Sequence, residues 1–198
     1  MVEAKKIDKD LDWLKQVSRE VDLSKEDISD DLKVLEEFCL NNGVFAMAAV
    51  QLGIPKRLVY IKNTDLDKIE DEEWNEATIL VNPVIKRREG LTQYWEACAS
   101  CLDNMGLVLR PYLVEIEYLD VKGNKCEMIF EGFPATVFSH EYDHLDGILH
   151  MDKALEVLVM DKEERKVFRE NHPYEVFQKD GDYIELEKSR HVKKKVIS

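Results

Sequence analysis

Cysteine is scarce: four in 198 residues, Cys39, Cys98, Cys101 and Cys126. Four scattered thiols exclude a disulfide-stapled scaffold. No run of about 18 apolar residues occurs, so no membrane-spanning helix is expected. The first residues, Met1-Val2-Glu3-Ala4-Lys5-Lys6, lead into Asp-rich sequence and give no readable secretory signal. Positive charge is also short, with 28 Lys and Arg against 41 Asp and Glu and a net charge of −13. A nucleic-acid coat protein needs a cationic face against phosphate, and so does a specific DNA reader. Neither fits this balance, although Lys193-Lys194-Lys195 leaves one small basic patch. No internal repeat or low-complexity linker breaks the chain. What is present is 44% apolar and 35% charged residues, enough for a sizeable core in one domain of ordinary size. A cytoplasmic location is expected, or an organelle matrix in a eukaryote.

Ser24 stands as a candidate N-cap, with Glu26 and Asp27 in a first turn where the helix dipole favours acids. Ile28, Leu32, Leu35 and Cys39 then recur at the spacing of an amphipathic helix, which Gly43 can end in a left-handed C-cap. Leu58 to Ile61 reads as a buried strand and Asp65 to Glu76 as a solvated acidic loop. Thr78 to Val81 reads as a strand closed by Asn82-Pro83. Tyr112 to Leu119 alternates, Val121 to Asn124 turns, and Lys125 to Phe130 returns, which predicts a hairpin. Pro134 can open a helix running to about Leu145, because its missing N–H costs little there. Asp161 to Glu170 predicts a further helix, and Tyr174 to Ser198 gives no clear pattern. Helix, short strands, then helix is an α+β arrangement.

Chemistry concentrates in His140-Glu141-Tyr142-Asp143-His144, an HExxH sequence inside the predicted helix. Positions i and i+4 share one helical face, so both imidazoles can reach one ion. Glu141 then lies beside it, where a carboxylate can move the proton of an activated water. A catalytic site of this kind needs a third protein ligand and an open position. The candidates are the cysteines and His150, His172 and His191, which lie downstream in apparent loop or tail. Cys98 and Cys101 form a CxxC, but without a second CxxC or a strand–CxxC–helix context. Cys39 and Cys126 read as small buried hydrophobes. Asp143 faces away from the histidine edge, which leaves two roles, orienting a ligand histidine or standing solvated, and solvation is the expectation.

Taken together, the Ala-Ala-x-Gln run ending at Gln51, Glu96-x-Cys98-x-Ser100, and His-Glu-x-x-His-x-x-Gly resemble the peptide deformylase family, with motifs in family order. Asn82-Pro83 and Arg110-Pro111 add to the likeness, which spans roughly Leu14 to Asp152. The resemblance implies antiparallel sheets packed around a central HExxH helix, with an N-terminal helix. It implies a catalytic domain over 1–152 and a C-terminal extension over 153–198. It also implies hydrolysis of the N-formyl group from the formylmethionine that begins new polypeptides. Cys98, His140 and His144 become the ligands of one divalent ion, Fe²⁺ in cells, with Zn²⁺ or Ni²⁺ in purified protein. Hydroxide generated there attacks the formyl carbon, and Glu141 transfers the proton. Gln51 and the backbone N–H of Ala99 stabilise the oxyanion, Glu96 and Arg110 hold the cysteine loop, and Ala46 and Val137 contact substrate. The partners are N-formylmethionyl peptides and, through the basic C-terminal end, the ribosome.

The chain departs from the family pattern. Val44, Ala46, Met47 and Val50 stand where Gly, Gly, Leu and Pro are usual, and Ala97 and Ala99 replace Gly and Leu beside the cysteine. Alanine at a glycine position adds a methyl and resists positive φ. Two rival readings follow: a zincin-type peptidase with its third ligand downstream, such as His150 or Glu156, or a deformylase-like protein that binds formyl peptides or ribosomes without turnover.

Overall fold

A computed structural model describes residues 2–62 and 77–184. The acidic stretch read as a loop at 65–76 and the basic patch at 193–195 lie outside those residues. After a short helix α1 (Leu11–Leu14) comes α2 (Ser29–Asn42), and then β1 (Ala46–Ala48) with a 3-10 turn (Ala49–Leu52). β2 (Leu58–Lys62), β3 (Ala77–Ala97), β4 (Asn104–Arg110), β5 (Leu113–Leu119) and β6 (Lys125–Glu131) follow. The chain continues with α3 (Phe133–Leu145), α4 (His150–Lys153), β7 (Glu156–Val159), α5 (Lys162–Asn171) and β8 (Glu175–Asp182). All described strand pairs are antiparallel, and the fold is α+β with the HExxH helix at its centre.

The long strand β3 organises the rest. It pairs with β2 near its start, with β5 in its middle, and with β8 and β4 toward its end. The sequence suggests that Asn82-Pro83 closes a short strand, whereas the strand runs on through both residues. Asn82 adopts φ 50°, a left-handed conformation that asparagine tolerates better than most residues. Its side-chain amide accepts from Val21 N–H and donates to Val21 C=O, both at 2.8 Å, which fixes the bulge. Pro83, without a donor, sits where the pairing register shifts.

Two helices cover opposite faces of the β1–β2–β3 region. Met47, Leu58, Tyr60, Ile79 and Val81 pack with Ile28, Leu35 and Cys39 on the α2 side. Ala46, Ala48, Val59, Ile61 and Leu80 alternate with them and pack with Ala135, Phe138 and Leu145 of α3. Apolar residues therefore surround α3 as a buried central helix. α2 begins at Ser29, not after Ser24. Asp27 accepts from Ser29 N–H and Oγ, while Ser24 is spent in a local turn with Asp22. Gly43 closes α2 in the left-handed region, as its position predicts. The hairpin and the helix opened at Pro134 form as the pattern indicates, and Asp161 caps α5 in a reciprocal box with Glu164. The unreadable stretch after Tyr174 supplies β8, an exposed strand added to β3.

Candidate active site

The site forms where the end of β3 meets α3. Cys98 follows directly on β3, and His140 and His144 lie one turn apart on α3. One ligand atom from each residue lies within 4.8 Å of the other two, and among the described residues no other group of His, Cys, Asp or Glu converges in this way. Cys98 Sγ lies 3.3 Å from His144 Nε2. Thiolate and imidazole ligands on one tetrahedral ion, at bond lengths of about 2.3 and 2.0 Å, stand roughly 3.5 Å apart. The donor set therefore fits a borderline-soft divalent cation in both chemistry and spacing.

Around these three residues is a buried polar shell. Glu96 accepts from His140 Nδ1 at 2.8 Å and from Arg110 through two bonds of 2.7 and 2.9 Å. Its role with Arg110 thus extends to orienting an imidazole, the usual task of a carboxylate behind a metal-binding histidine. Asp143 is a correction: the expected solvated residue is buried, 2.5 Å from Arg110 Nη1 and 2.9 Å from Lys153 Nζ. An arginine buried on β4 leaves a fork that one carboxylate cannot fill, so the charge cluster draws in a second acid. Burial alone would raise the Glu96 pKa, but the Arg110 charge and its hydrogen bonds hold it well below the usual carboxylate range. Burial likewise opposes protonation of His140, yet Cys98 and Glu96 raise its pKa well above the ordinary 6.5.

Glu141 accepts from Ala48 N–H at 2.8 Å. Burial pushes its pKa up to about 7, with the nearby Cys98 adding to the rise and His140 opposing it. A carboxylate poised there can both take and return a proton near neutrality. Gln51 is buried in the 3-10 turn, where its carbonyl accepts from Ala48 N–H at 3.1 Å. Its amide nitrogen points into the site, 3.3 Å from Cys98 Sγ and 3.1 Å from Ser100 Oγ. A pocket of about 280 Å³ opens here, with Gln51, Cys98, His140 and Glu141 on its wall and Ala46, Ala97, Ala99 and Val137 beside them. Neither Ala46, Ala97 nor Ala99 has positive φ, so the backbone strain that alanine would bring does not arise.

His150 comes near without joining the cluster. It sits on α4, not in a loop, stacked on His140 with ring centroids 5.6 Å apart, and neither ring nitrogen finds a hydrogen-bond partner. Cys101 is fully buried under Leu14 and Leu149, and Cys126 is only half-buried on the hairpin, contrary to its reading as a core residue. Sequence reasoning misplaced Asp143 and missed Lys153 and the Ala48 N–H. It also missed Tyr94, Phe133 and Arg169, which line the pocket from β3, α3 and α5. The alternation of β3 could have pointed to Tyr94, which lies two residues before Glu96 on the same face.

A thiolate and two helical imidazoles beside a buried carboxylate, set in an antiparallel α+β frame, define a metal-dependent hydrolase. The family model of polypeptide deformylase matches residues 5–162. The chain is 36% identical to a peptide deformylase of Pelagibacter ubique over 144 residues, covering 70% of this chain and 78% of that one. It is 38% identical to "Peptide deformylase 2" of Clostridium acetobutylicum, covering 73% and 91%. Among solved structures, a probable peptide deformylase of Synechococcus phage S-SSM7 superposes with a TM-score of 0.66 at 30% identity, over 77% of this chain and 99% of that one. A Synechococcus elongatus peptide deformylase in complex with actinonin gives 0.66 at 26% identity, over 86% and 87%. The chain belongs to the peptide deformylase family.

Proposed function

We propose that this chain removes the N-formyl group from the formylmethionine at the start of new polypeptides, releasing formate and a free amine. The convergence of Cys98, His140 and His144 next to Glu141 carries this reading. These three residues would hold one divalent ion, which when bound lowers the pKa of water and polarises the formyl oxygen. Glu141 removes a proton from the attacking water as its oxygen bonds to the formyl carbon. It then delivers that proton to the nitrogen as the C–N bond breaks. Gln51 Nε2 and the Ala99 N–H donate to the oxygen that becomes negative, where losing one such donor costs about 2.7–4 kcal/mol of barrier. Glu96 keeps His140 in the tautomer that leaves Nε2 free, and Arg110 with Asp143 fixes Glu96. Ala46 and Val137 line the cavity for the substrate side chain. The burial of Glu141 and its pKa near 7 support its acid–base role.

Formate release from formyl-Met-Ala-Ser tests this directly. The wild-type protein is expected to turn over, with a loss of at least about a hundredfold in Glu141→Gln. No formate above that control would favour a binder without turnover. Cleavage of an unformylated peptide bond would instead favour a peptidase. Within cells we assign Fe²⁺ to the site, which the thiolate–imidazole set accommodates as it does Zn²⁺ and Ni²⁺. Equal turnover by anaerobic iron-loaded and zinc-loaded protein would remove that preference. We place the protein in the cytoplasm, where nascent chains emerge, and read residues 1–152 as the catalytic domain and 153–198 as its extension. β7 and β8 of that extension pair with β4 and β3, which supports its packing on the same body. Lys193-Lys194-Lys195 would meet ribosomal phosphate. Ribosome co-sedimentation that is unchanged on deleting 185–198 would rule this out.

A further inference from the structure

The family match ends at residue 162, yet α5, which begins there, reaches the pocket. Its contact is Arg169. The guanidinium donates through Nε at 3.0 Å and Nη2 at 2.7 Å to the carbonyl of Trp95. It also stacks on the Tyr94 ring, 5.0 Å from its centroid. The helix is held against β3 by Phe168, which packs edge-on on Trp95 at 5.2 Å, while His172 at the helix end stacks on Phe168 at 3.9 Å. Tyr174, just beyond, contacts both Tyr94 and Phe133 edge-on, at 6.2 and 5.5 Å. The segment after the family-matched region therefore builds one wall of the pocket and fixes a cation in it.

That cation is electrostatically unfinished. Arg19, Arg57, Arg87 and Arg110 each hold a carboxylate at 2.8 Å or less, and Arg165 reaches Asp103 at 3.9 Å. Among the described residues no carboxylate lies within ion-pair distance of Arg169, although it is half-buried in a chain of net charge −13; Glu96, on the same pocket wall, attracts it only from further away. A guanidinium carries five donors and remains charged, and the bonds to Trp95 use only two of them. Desolvating such a group without an anion is costly, so a partner arriving with the ligand is the economical resolution. Trp95 stands three residues before Cys98 along an extended strand, roughly 10 Å away. That is the span of a formyl group plus one long side chain, or of two to three residues of extended peptide.

We propose that Arg169 is a specificity-determining residue that selects formyl peptides bearing a carboxylate in one of their first three residues. This rests on the deformylase reading of the pocket and adds a substrate preference to it. The carboxylate has two possible sources, the first side chain entering the cavity or a residue further along the peptide, and an acid scan separates them. Formyl-Met-Ala-Ser is compared with peptides carrying Glu at the first, second or third residue, each with its Gln counterpart. kcat/KM is measured with the metal-loaded protein, and Kd by calorimetry with metal-loaded Glu141→Gln.

One Glu peptide is expected to exceed its Gln counterpart by about tenfold or more, the range of a hydrogen bond to a charged group. In Arg169→Met the Glu-to-Gln ratio should fall toward one, and in Arg169→Lys part of it should return. In a purely structural role, Arg169 substitution would change all peptides alike and leave the ratio where it was. Equal Glu and Gln constants in the wild-type protein, or a ratio that survives Arg169→Met, overturn the proposal. Acid-selective binding without formate release would support it while overturning the deformylase reading. Formate release without acid selectivity would do the reverse.

Discussion

Glu96 links the proposed metal ligands to the buried charges, touching His140 Nδ1 with one oxygen while Arg110 grips both. A Glu96→Gln variant keeps the shape but can turn a donor toward His140 and weakens the hold of Arg110. Metal affinity measured by chelator competition should fall about 10–100-fold, the usual effect of removing a carboxylate behind a ligand histidine. Unchanged affinity would show that His140 is oriented by packing alone. At this scale much was legible. The i, i+4 spacing forecast that His140 and His144 would converge, because helix geometry alone dictates it. Cys98 became readable only through the family resemblance, since 46 residues separate it from His144 and no local pattern spans that distance. Asp143 was misread because its environment comes from Arg110 on β4 and Lys153 on α4, neither of which its own helix reveals.

Among the elements, those governed by local rules matched their patterns: the hairpin β5–β6, the Gly43 C-cap and the helix expected over Asp161 to Glu170. Those decided by distant contacts did not. β3 passes through Asn82-Pro83 because Val21, 61 residues away in sequence, donates its N–H to the Asn82 side chain and accepts from it at its C=O. The glycine of the HExxHxxG motif has a similar cause. Gly147 sits at φ +69°, and a Cβ there would collide with the backbone carbonyl of Lys15. The start of α2 is tied down by charge. Asp31 of α2 lies 2.5 Å from Lys56, and Glu26 bridges Lys56 to Arg19. Hydrogen bonds from Arg19 and then Lys56 hold Glu26 well below its ordinary 4.5. A depressed carboxylate stabilises the fold above its unfolded-state pKa, and this contribution is lost as pH falls through the folded-state value. Urea midpoints should therefore decline from about pH 4.5 downward less steeply in Glu26→Gln than in the wild type. Parallel declines would mean that solvent and salt already screen the cluster.

For the molecule as a whole, an ion held by Cys98, His140 and His144 would be a ligand of the folded state that ties the end of β3 to α3. Chelation should lower the thermal midpoint by roughly 8–16 °C relative to protein held with free metal a thousandfold above its Kd. An unchanged midpoint would mean that the site adds nothing to the fold. Overall architecture was more legible than the pocket. The α+β class follows from the order of periodic segments, whereas the wall built by Tyr94, Phe133 and Arg169 assembles residues from three elements with no shared motif. The central claim is that one thiolate and two imidazoles hold the ion, and metal content per chain after exhaustive dialysis tests it most directly. We expect about one ion in wild-type protein and in His150→Ala, and almost none in Cys98→Ala. Full metal content in Cys98→Ala, or its loss in His150→Ala with Cys98 intact, would contradict the account.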